Sequence, residues 1–404
     1  MFYRVFGSSL LEEYYLDLKM TVMKIGIQEQ EKSNQFLRAL WAEIRSRDPD
    51  CVWQYCPIKR GEQKTISFGF LHLMKTEKVY AGITYERKGG IESIIFDHIG
   101  DKSTKTHLQI EDILQQSLES ARQKYETPHL ITVTGYLRSQ HIPLLADYSG
   151  ERFSIKHHPQ IKSSSLTIGV LAYDDLDALT LYTKIAYRIL HFLSIETNIS
   201  FQLRNVAVNK EDKIEMRHEN KYFEDPDWLD GWPKVDELLY ISEEGAEFID
   251  WIAKGQDDHQ ERKKFLLACR HFYAARKTHS DEVVTVLCMS ALEVASNLRA
   301  TNAAKCENCG QPVYKIGKRV AEFVDRFLPP HIVKFFKEYY KKRSKYLHEG
   351  IILEDQSFFH FGKNIPQLNK NHDSGCEIPT QVSVINLWEF TSYCLRSLLR
   401  AGLC

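Results

Sequence analysis

The hydrophobic pattern of the chain changes near Gly255, and this change constrains the fold more than any other feature. Before it, residues 65–100 form clusters of β-branched and aromatic residues that are typical of strands. The same part has apolar residues at helical spacing over 110–124. After Gly255 the apolar residues fall almost entirely at helical spacing. We therefore predict an α+β protein, with an N-terminal mixed α/β domain followed by a C-terminal all-α bundle.

The length of the chain favours more than one domain. A chain of 404 residues is longer than one hydrophobic core usually serves. We predict a mixed α/β domain over residues 1–220 and a helical bundle over residues 256–404. Residues 221–255, with Asp225-Pro226 and Gly231-Trp232-Pro233, predict a loop-rich connector between them.

Composition excludes several classes of protein. Hydrophobic residues make up 43% and charged residues 26%, which argues against global disorder. Acidic residues at positions 12, 13 and 17 disfavour a signal peptide, and no segment approaches the roughly 18 apolar residues of a membrane helix. Nine cysteines, mostly single, do not form a secreted disulfide framework. These features predict a cytoplasmic protein without a membrane partner.

One predicted helix, from Pro329-Pro330 to Gly350, is strongly basic. Its basic residues are Lys334, Lys337, Lys341, Lys342, Arg343 and Lys345. Because cations near a helix C-terminus also suit the helix dipole, a solvated surface is one interpretation. Because the net charge of the chain is only -1, such a local cluster is also what a nucleic-acid site would require.

Arg343 and His348 near the end of this helix are two parts that a metal-free ribonuclease needs. Arginine binds phosphate through a planar fork, and histidine accepts and donates protons near neutral pH. They lie five positions apart, which is about 140° around an ideal helix. Ser344, not Arg343, shares the face of His348. Either fraying before Gly350 or a second copy of the helix would have to complete such a site.

The segment Tyr340-x-x-Arg343-Ser344-Lys345-x-x-His348-x-Gly350 resembles the signature of the HEPN superfamily, and of its Apea-like branch in particular. The surrounding pattern is similar as well: a helix with Ala291-Leu292-Glu293, a short insert, a helix with Arg319, the signature helix and a final helix. The resemblance covers residues 256–404 only.

The resemblance implies a four- or five-helix bundle that forms a homodimer through its signature helices and cleaves RNA without a metal. Arg343 and His348 would be the catalytic pair, and Ser344 holds a polar position where many relatives carry Asn, Asp or His. The expected RNA-binding residues are Lys337, Lys341, Lys342 and Lys345.

This architecture in the family further implies a toxin or antiphage defence effector, with residues 1–220 as a sensor or specificity domain and with a regulatory protein partner in some cases. The alternative, which also occurs in the family, is a non-catalytic module for dimerisation and for binding RNA or a nucleotide.

A second motif predicts a structural zinc site. Cys306-x-x-Cys309-Gly310 has the spacing of a knuckle that directs two thiolates to one metal. His372 and Cys376 have a plausible spacing for the other two ligands. The competing ligands are His360 and Cys288. Two reduced cysteines or a redox pair are the alternatives, although no βαβ pattern surrounds them.

Three other sequence patterns give no strong indication of a catalytic or metal site. His157-His158 before Pro159 predicts a surface pair in a polar loop. Asp174-Asp175-Leu-Asp177 predicts a helix start and not a metal site. The sequence has neither a Walker loop nor a dinucleotide-binding fingerprint.

Overall fold

The chain divides into two compact units in a computed structural model. The structure describes residues 21–56, 64–100, 104–139, 144–209, 238–255, 259–298, 316–349, 367–368, 370, 376–377 and 384–402. Unit 1 comprises residues 1–130 and 171–177, and unit 2 comprises residues 131–170 and 178–404.

Unit 1 is built on an antiparallel five-stranded sheet with two helices. Its elements are β1 (Thr21–Ile27), α1 (Gln30–Arg47), β2 (Val52–Gln54), β3 (Thr65–Leu73), β4 (Glu77–Thr84), β5 (Ile91–His98) and α2 (Lys105–Lys124). The strand order is β1-β5-β4-β3-β2. Strands β3, β4 and β5 alternate or cluster apolar residues as the sequence predicted, and Thr104 caps α2 by accepting a hydrogen bond from the His107 N–H.

The core of unit 1 lies between this sheet and its helices. It contains Phe36, Leu40, Ile44, Val79, Ile83, Ile94, Phe96, Ile110, Leu114 and Leu118, all 5% exposed or less. Two ion pairs join α1 to residues 171–177. Arg38 Nε and Nη2 donate to the Asp177 carboxylate at 2.8 Å each, and Arg45 contacts Asp174 at 2.7 Å.

The second sheet lies almost wholly in unit 2. The elements of this part are β6 (His129–Ser139), β7 (Tyr148–Ser149), β8 (Phe153–His158), a short 3-10 helix (Pro159–Ile161), β9 (Ser163–Ala172), α3 (Asp175–Thr197) and β10 (Phe201–Asn209). The strand order is β10-β6-β9-β8-β7. Helix α3 contacts this sheet, since Tyr182 Oη donates to the Leu166 carbonyl at 2.8 Å.

Helices dominate the rest of unit 2. They are α4 (Glu243–Lys254), α5 (Gln260–Lys277), α6 (Asp281–Ser296), α7 (Ile316–Val324), α8 (Pro330–Glu349) and α9 (Val384–Arg400), together with the short pair β11 (Gln367–Leu368) and β12 (Cys376–Glu377). Helix α6 is central and packs against α5, α7, α8 and α9. The predicted α+β class is confirmed. None of the described helices is long and apolar enough to cross a membrane.

Two predicted boundaries differ from the structure. Within the predicted connector 221–255, residues 243–254 are not a loop but α4, capped by Ser242 and buried through Phe248, Ile249 and Ile252. The compact units also do not divide near residue 220, because the second sheet clusters with the C-terminal helices.

Hydrogen bonds explain why the second sheet and α3 cluster with the helices. Asn198 Nδ2 donates to Glu389 Oε2 of α9 at 2.7 Å, and Tyr273 Oη of α5 donates to the Phe201 carbonyl at 2.8 Å. These bonds join residues far apart in sequence, so they cannot be predicted from hydrophobic periodicity.

Candidate functional site

Helix α8 has one buried face and one exposed basic stripe. Its buried face contains Val333, Phe336 and Tyr339, which are 9% exposed or less. The exposed basic stripe contains Lys334, Lys337, Lys341, Lys345 and His348, all of them solvent-exposed. Because successive members are three or four positions apart, they span only about 80° of the helix circumference. Lys334 was not among the predicted RNA-binding residues, although its helical spacing places it on the same face as His348.

Arg343 lies on the other side of the helix, where it is held by Glu293 of α6. Its Nη2 donates to Glu293 Oε2 at 3.0 Å, and Nη1 lies 2.8 Å from Oε1 as an ionic contact. Both side chains are only 17% exposed. This ion pair fixes α8 against α6 and offsets the charge of the guanidinium. The role of Glu293 was not predicted, although the motif that contains it was.

Tyr340 completes the surroundings of Arg343. Its ring centroid lies 5.7 Å from the guanidinium carbon of Arg343. The ring also lies next to Gly317 of α7, where an added Cβ would be 3.0 Å from it. Burial raises the pKa of the Tyr340 hydroxyl, and the negative charge of Glu293 adds to this effect. Tyr340 therefore remains protonated and acts as a packing surface for Arg343.

A groove of about 490 Å³ runs between α7 and α8 beside this tyrosine. Lys337 and Lys341 of the exposed basic stripe line one side, and Glu322 of α7 and Asp325, which follows α7, line the other. These two acids limit the positive surface on this side of α8.

The two predicted catalytic residues do not converge within one chain. The helix stays regular through Glu349, which leaves Arg343 and His348 about 140° apart around the axis. Fraying before Gly350, one of the two ways in which the sequence could complete the site, does not occur through Glu349, and Gly350 itself lies outside the described residues. Ser344 is half-buried one turn before the exposed His348. Lys342 belongs to α8, but the structure does not describe its side chain.

The predicted zinc ligands fall mostly beyond the described part of the chain. Cys306, Cys309 and His372 are not described, nor is the competitor His360. Cys376 pairs with Leu368 through its backbone in β12, and its side chain is not described. Within the described ranges no group of three or more potential ligands could hold a metal ion.

The other competing ligand, Cys288, is completely buried in α6, and burial raises the pKa of its thiol to about 12. It belongs to no group of three or more potential ligands among the described residues.

The aspartates of residues 174–177 begin α3 as predicted, since Asp174 Oδ1 accepts a hydrogen bond from the Asp177 N–H at 2.8 Å. The histidine pair was placed wrongly in a loop. His157 and His158 end strand β8, and His158 is half-buried with its Nε2 2.8 Å from Ser165 Oγ.

Comparison of the chain with protein-family models, with curated proteins and with solved structures found no match.

Proposed function

We propose that this chain is an RNA-cleaving protein of the HEPN type, active as a dimer. The exposed basic stripe of α8, with His348 at its end, is the observation that carries the proposal. Four exposed lysines along one face suit the repeated negative charge of a nucleic-acid backbone, and the exposed His348 at the end of that face would supply a proton-transfer group.

The chemistry would begin with attack of a ribose 2′-hydroxyl on the adjacent phosphate, which restricts cleavage to RNA. His348 would accept the hydroxyl proton or donate a proton to the leaving 5′-oxygen. Since one histidine supplies only one of these transfers, a second copy of α8 would supply the other. Arg343, held by Glu293, would keep α8 in place and present its remaining N–H groups to the phosphate.

Cleavage is tested with purified protein, total RNA and tRNA in the presence of a chelator. We expect His348→Ala to lower the cleavage rate by about 10²-fold or more, as the loss of a proton-transfer group does. His331→Ala is the matched control, because His331 is also exposed on α8 but lies near its start. Equal cleavage by wild type and His348→Ala would refute the proposal.

Binding without cleavage is the second candidate function. The observation that favours it is the Glu293–Arg343 ion pair, which occupies the arginine that should stabilise the transition state. In this case wild type would bind RNA and leave it uncut.

Both candidate functions predict the same role for the lysines. Charge reversal at Lys341 and Lys345 should weaken RNA binding and lower the slope of log affinity against log salt by about 0.7 for each lost phosphate contact. Lys264→Glu, exposed on α5, is the control. An unchanged salt slope would mean that the exposed basic stripe does not bind the backbone.

The proposed activity also has consequences for the cellular location and the regulation of the protein. An RNA-cleaving toxin or antiphage defence effector acts where cellular RNA is, so we propose a cytoplasmic protein whose activity a regulatory protein partner holds in check. Induced expression should arrest growth for wild type and not for His348→Ala. Growth that is equal in both would count against a toxin.

A structural zinc ion at Cys306 and Cys309, with His372 and Cys376, belongs to the same proposal. It would hold the polar segment after α8 to the insert before α7, and catalysis would not require it. A zinc-to-protein ratio near one in purified material is the expected result, and a ratio near zero would exclude the site.

A further inference from the structure

The second sheet carries a polar groove of about 370 Å³ on one face. Side chains alternate along β6 and β9, so Val133, Leu137, Leu166 and Ile168 point to the buried apolar side. The groove is formed by the residues between them and by neighbours on β8 and β10. All of its lining residues belong to unit 2.

The sequence makes this face concave through the sizes of its side chains. Its floor is a ladder of short hydroxyl residues: Thr134 lies 2.9 Å from Thr167 between their Oγ1 atoms, and Thr167 pairs with Ser154 across β8 and β9. Its rim consists of longer side chains, among them Tyr136 and Lys156. Short residues between long ones leave a hollow of the size that small-molecule sites have.

One wall is shaped by an irregularity in β10. The register against β6 shifts between Arg204 and Ala207, and Asn205 has a φ of 48°. A bulge of this kind redirects side chains at a sheet edge, and it brings Asn205 into the groove lining. Asparagine is among the few residues that tolerate this left-handed conformation.

The burial of the floor distinguishes this groove from an ordinary solvated sheet face. Ser154 and Ser165 are 4% exposed and Thr167 is 7% exposed. On a solvated face the hydroxyls would be open to water. Polar groups at the base of a hollow are the arrangement that orients a polar ligand.

The charge and the rings of the groove define the ligand. Among the described residues that line it, none is acidic, while Lys156 and His158 are basic. Lysine with surrounding hydroxyl donors suits a phosphate group. The rings of Tyr136 and His158 lie 5.7 Å apart at the rim, where they offer a surface to a planar group.

We propose that this groove binds a mononucleotide, with its phosphate held near Lys156 and the floor hydroxyls and its base against Tyr136. The site is separate from the exposed basic stripe of α8 and does not depend on cleavage of RNA.

The proposal is tested by isothermal titration of the full-length protein with AMP, GMP, CMP, UMP, the four uncharged nucleosides and inorganic phosphate. At least one mononucleotide should bind more tightly than both its nucleoside and inorganic phosphate. Lys156→Ala should weaken that binding by about tenfold or more, which corresponds to one charge-assisted contact. Lys184→Ala, exposed on α3, should leave it unchanged.

Thr167→Val provides a variant that keeps the shape of the floor and removes one hydroxyl, so it separates loss of binding from loss of folding. It should also weaken binding, with an unchanged circular dichroism spectrum. His348→Ala should bind the mononucleotide as wild type does. Absence of binding by every mononucleotide, or equal binding by wild type, Lys156→Ala and Thr167→Val, would overturn the proposal.

Discussion

At the scale of single residues, Arg343 and His348 have opposite environments on one helix. The spacing of the two residues was enough to predict the angle between them. The partner of Arg343 was not predictable, because Glu293 lies 50 positions earlier and only the packing of α6 against α8 brings it near. Sequence periodicity assigns a residue to a face of its helix, but it does not identify the residue on the facing helix.

Glu293→Gln should lower the free energy of unfolding by about 1–3 kcal/mol, because the half-buried Arg343 loses its charged partner. Glu338→Gln, on the exposed surface of α8, should change it by less than about 0.5 kcal/mol. Chemical denaturation of the three proteins measures both values. Equal stability of the two variants would show that the pair contributes little.

His191 should make stability depend on pH. Its ring lies 4.9 Å from the Tyr273 ring, and burial, with Arg270 and Lys277 nearby, lowers its pKa to about 4. In the unfolded chain this histidine takes up a proton near pH 6.5. The contribution of neutral, buried His191 to the free energy of unfolding is therefore fully present above that pH and is lost as the pH drops toward 4.

Between pH 7 and pH 5 the wild type should lose about 1–2 kcal/mol more than His191→Gln in denaturation experiments. His331→Gln, which removes an exposed histidine, should follow the wild type. A wild-type loss equal to that of His191→Gln would contradict the assignment.

At the scale of elements, the basic helix was predicted within a residue of where it lies, since α8 runs from Pro330 to Glu349. Ser280 caps α6 by accepting a hydrogen bond from the Val283 N–H. Helix α4 was missed because the tryptophans, prolines and glycines just before it predicted a loop for the whole segment. Strand β8 was missed for a similar reason, since its polar end at His157-His158 lacks the alternation of a half-buried strand.

The end of α4 offers a test of local backbone conformation. Gly255 adopts a φ of 66°, and among the described residues no atom lies within 4 Å of the Cβ that alanine would add there. Gly255→Ala should therefore cost about 1 kcal/mol through backbone conformation alone. Gly255→Asn should cost less, because asparagine tolerates this region. Thermal denaturation would contradict this account if both variants were as stable as wild type.

At the scale of the whole molecule, the division into units follows long-range contacts that composition does not reveal. Forty residues of unit 2 separate residues 171–177 from the rest of unit 1, yet Asp174 and Asp177 pair with Arg45 and Arg38 of α1. Strands do give way to helices along the chain, but before Gly255, since β10 ends at Asn209 and α4 begins at Glu243. This change does not mark where the compact units meet.

Asp177→Ala should destabilise the protein by about 2 kcal/mol, because the Asp177 carboxylate is 8% exposed and binds Arg38 through both oxygens. Asp50→Ala removes a contact to Lys75 in which both side chains are more than half exposed, so it should change stability by less than about 0.5 kcal/mol. Urea denaturation compares the two, and similar losses would argue against a special role for residues 171–177.

The chain passes between unit 1 and unit 2 three times, after residues 130, 170 and 177. A single genetic crossover therefore cannot exchange unit 1 alone. One after residue 130 would separate Arg38 and Arg45 from the aspartates that pair with them, and one after residue 177 would also transfer residues 131–170 of unit 2. We expect the two units to be inherited together, and new variants of unit 1 to arise by substitution in place, with each arginine and its aspartate changing as a pair.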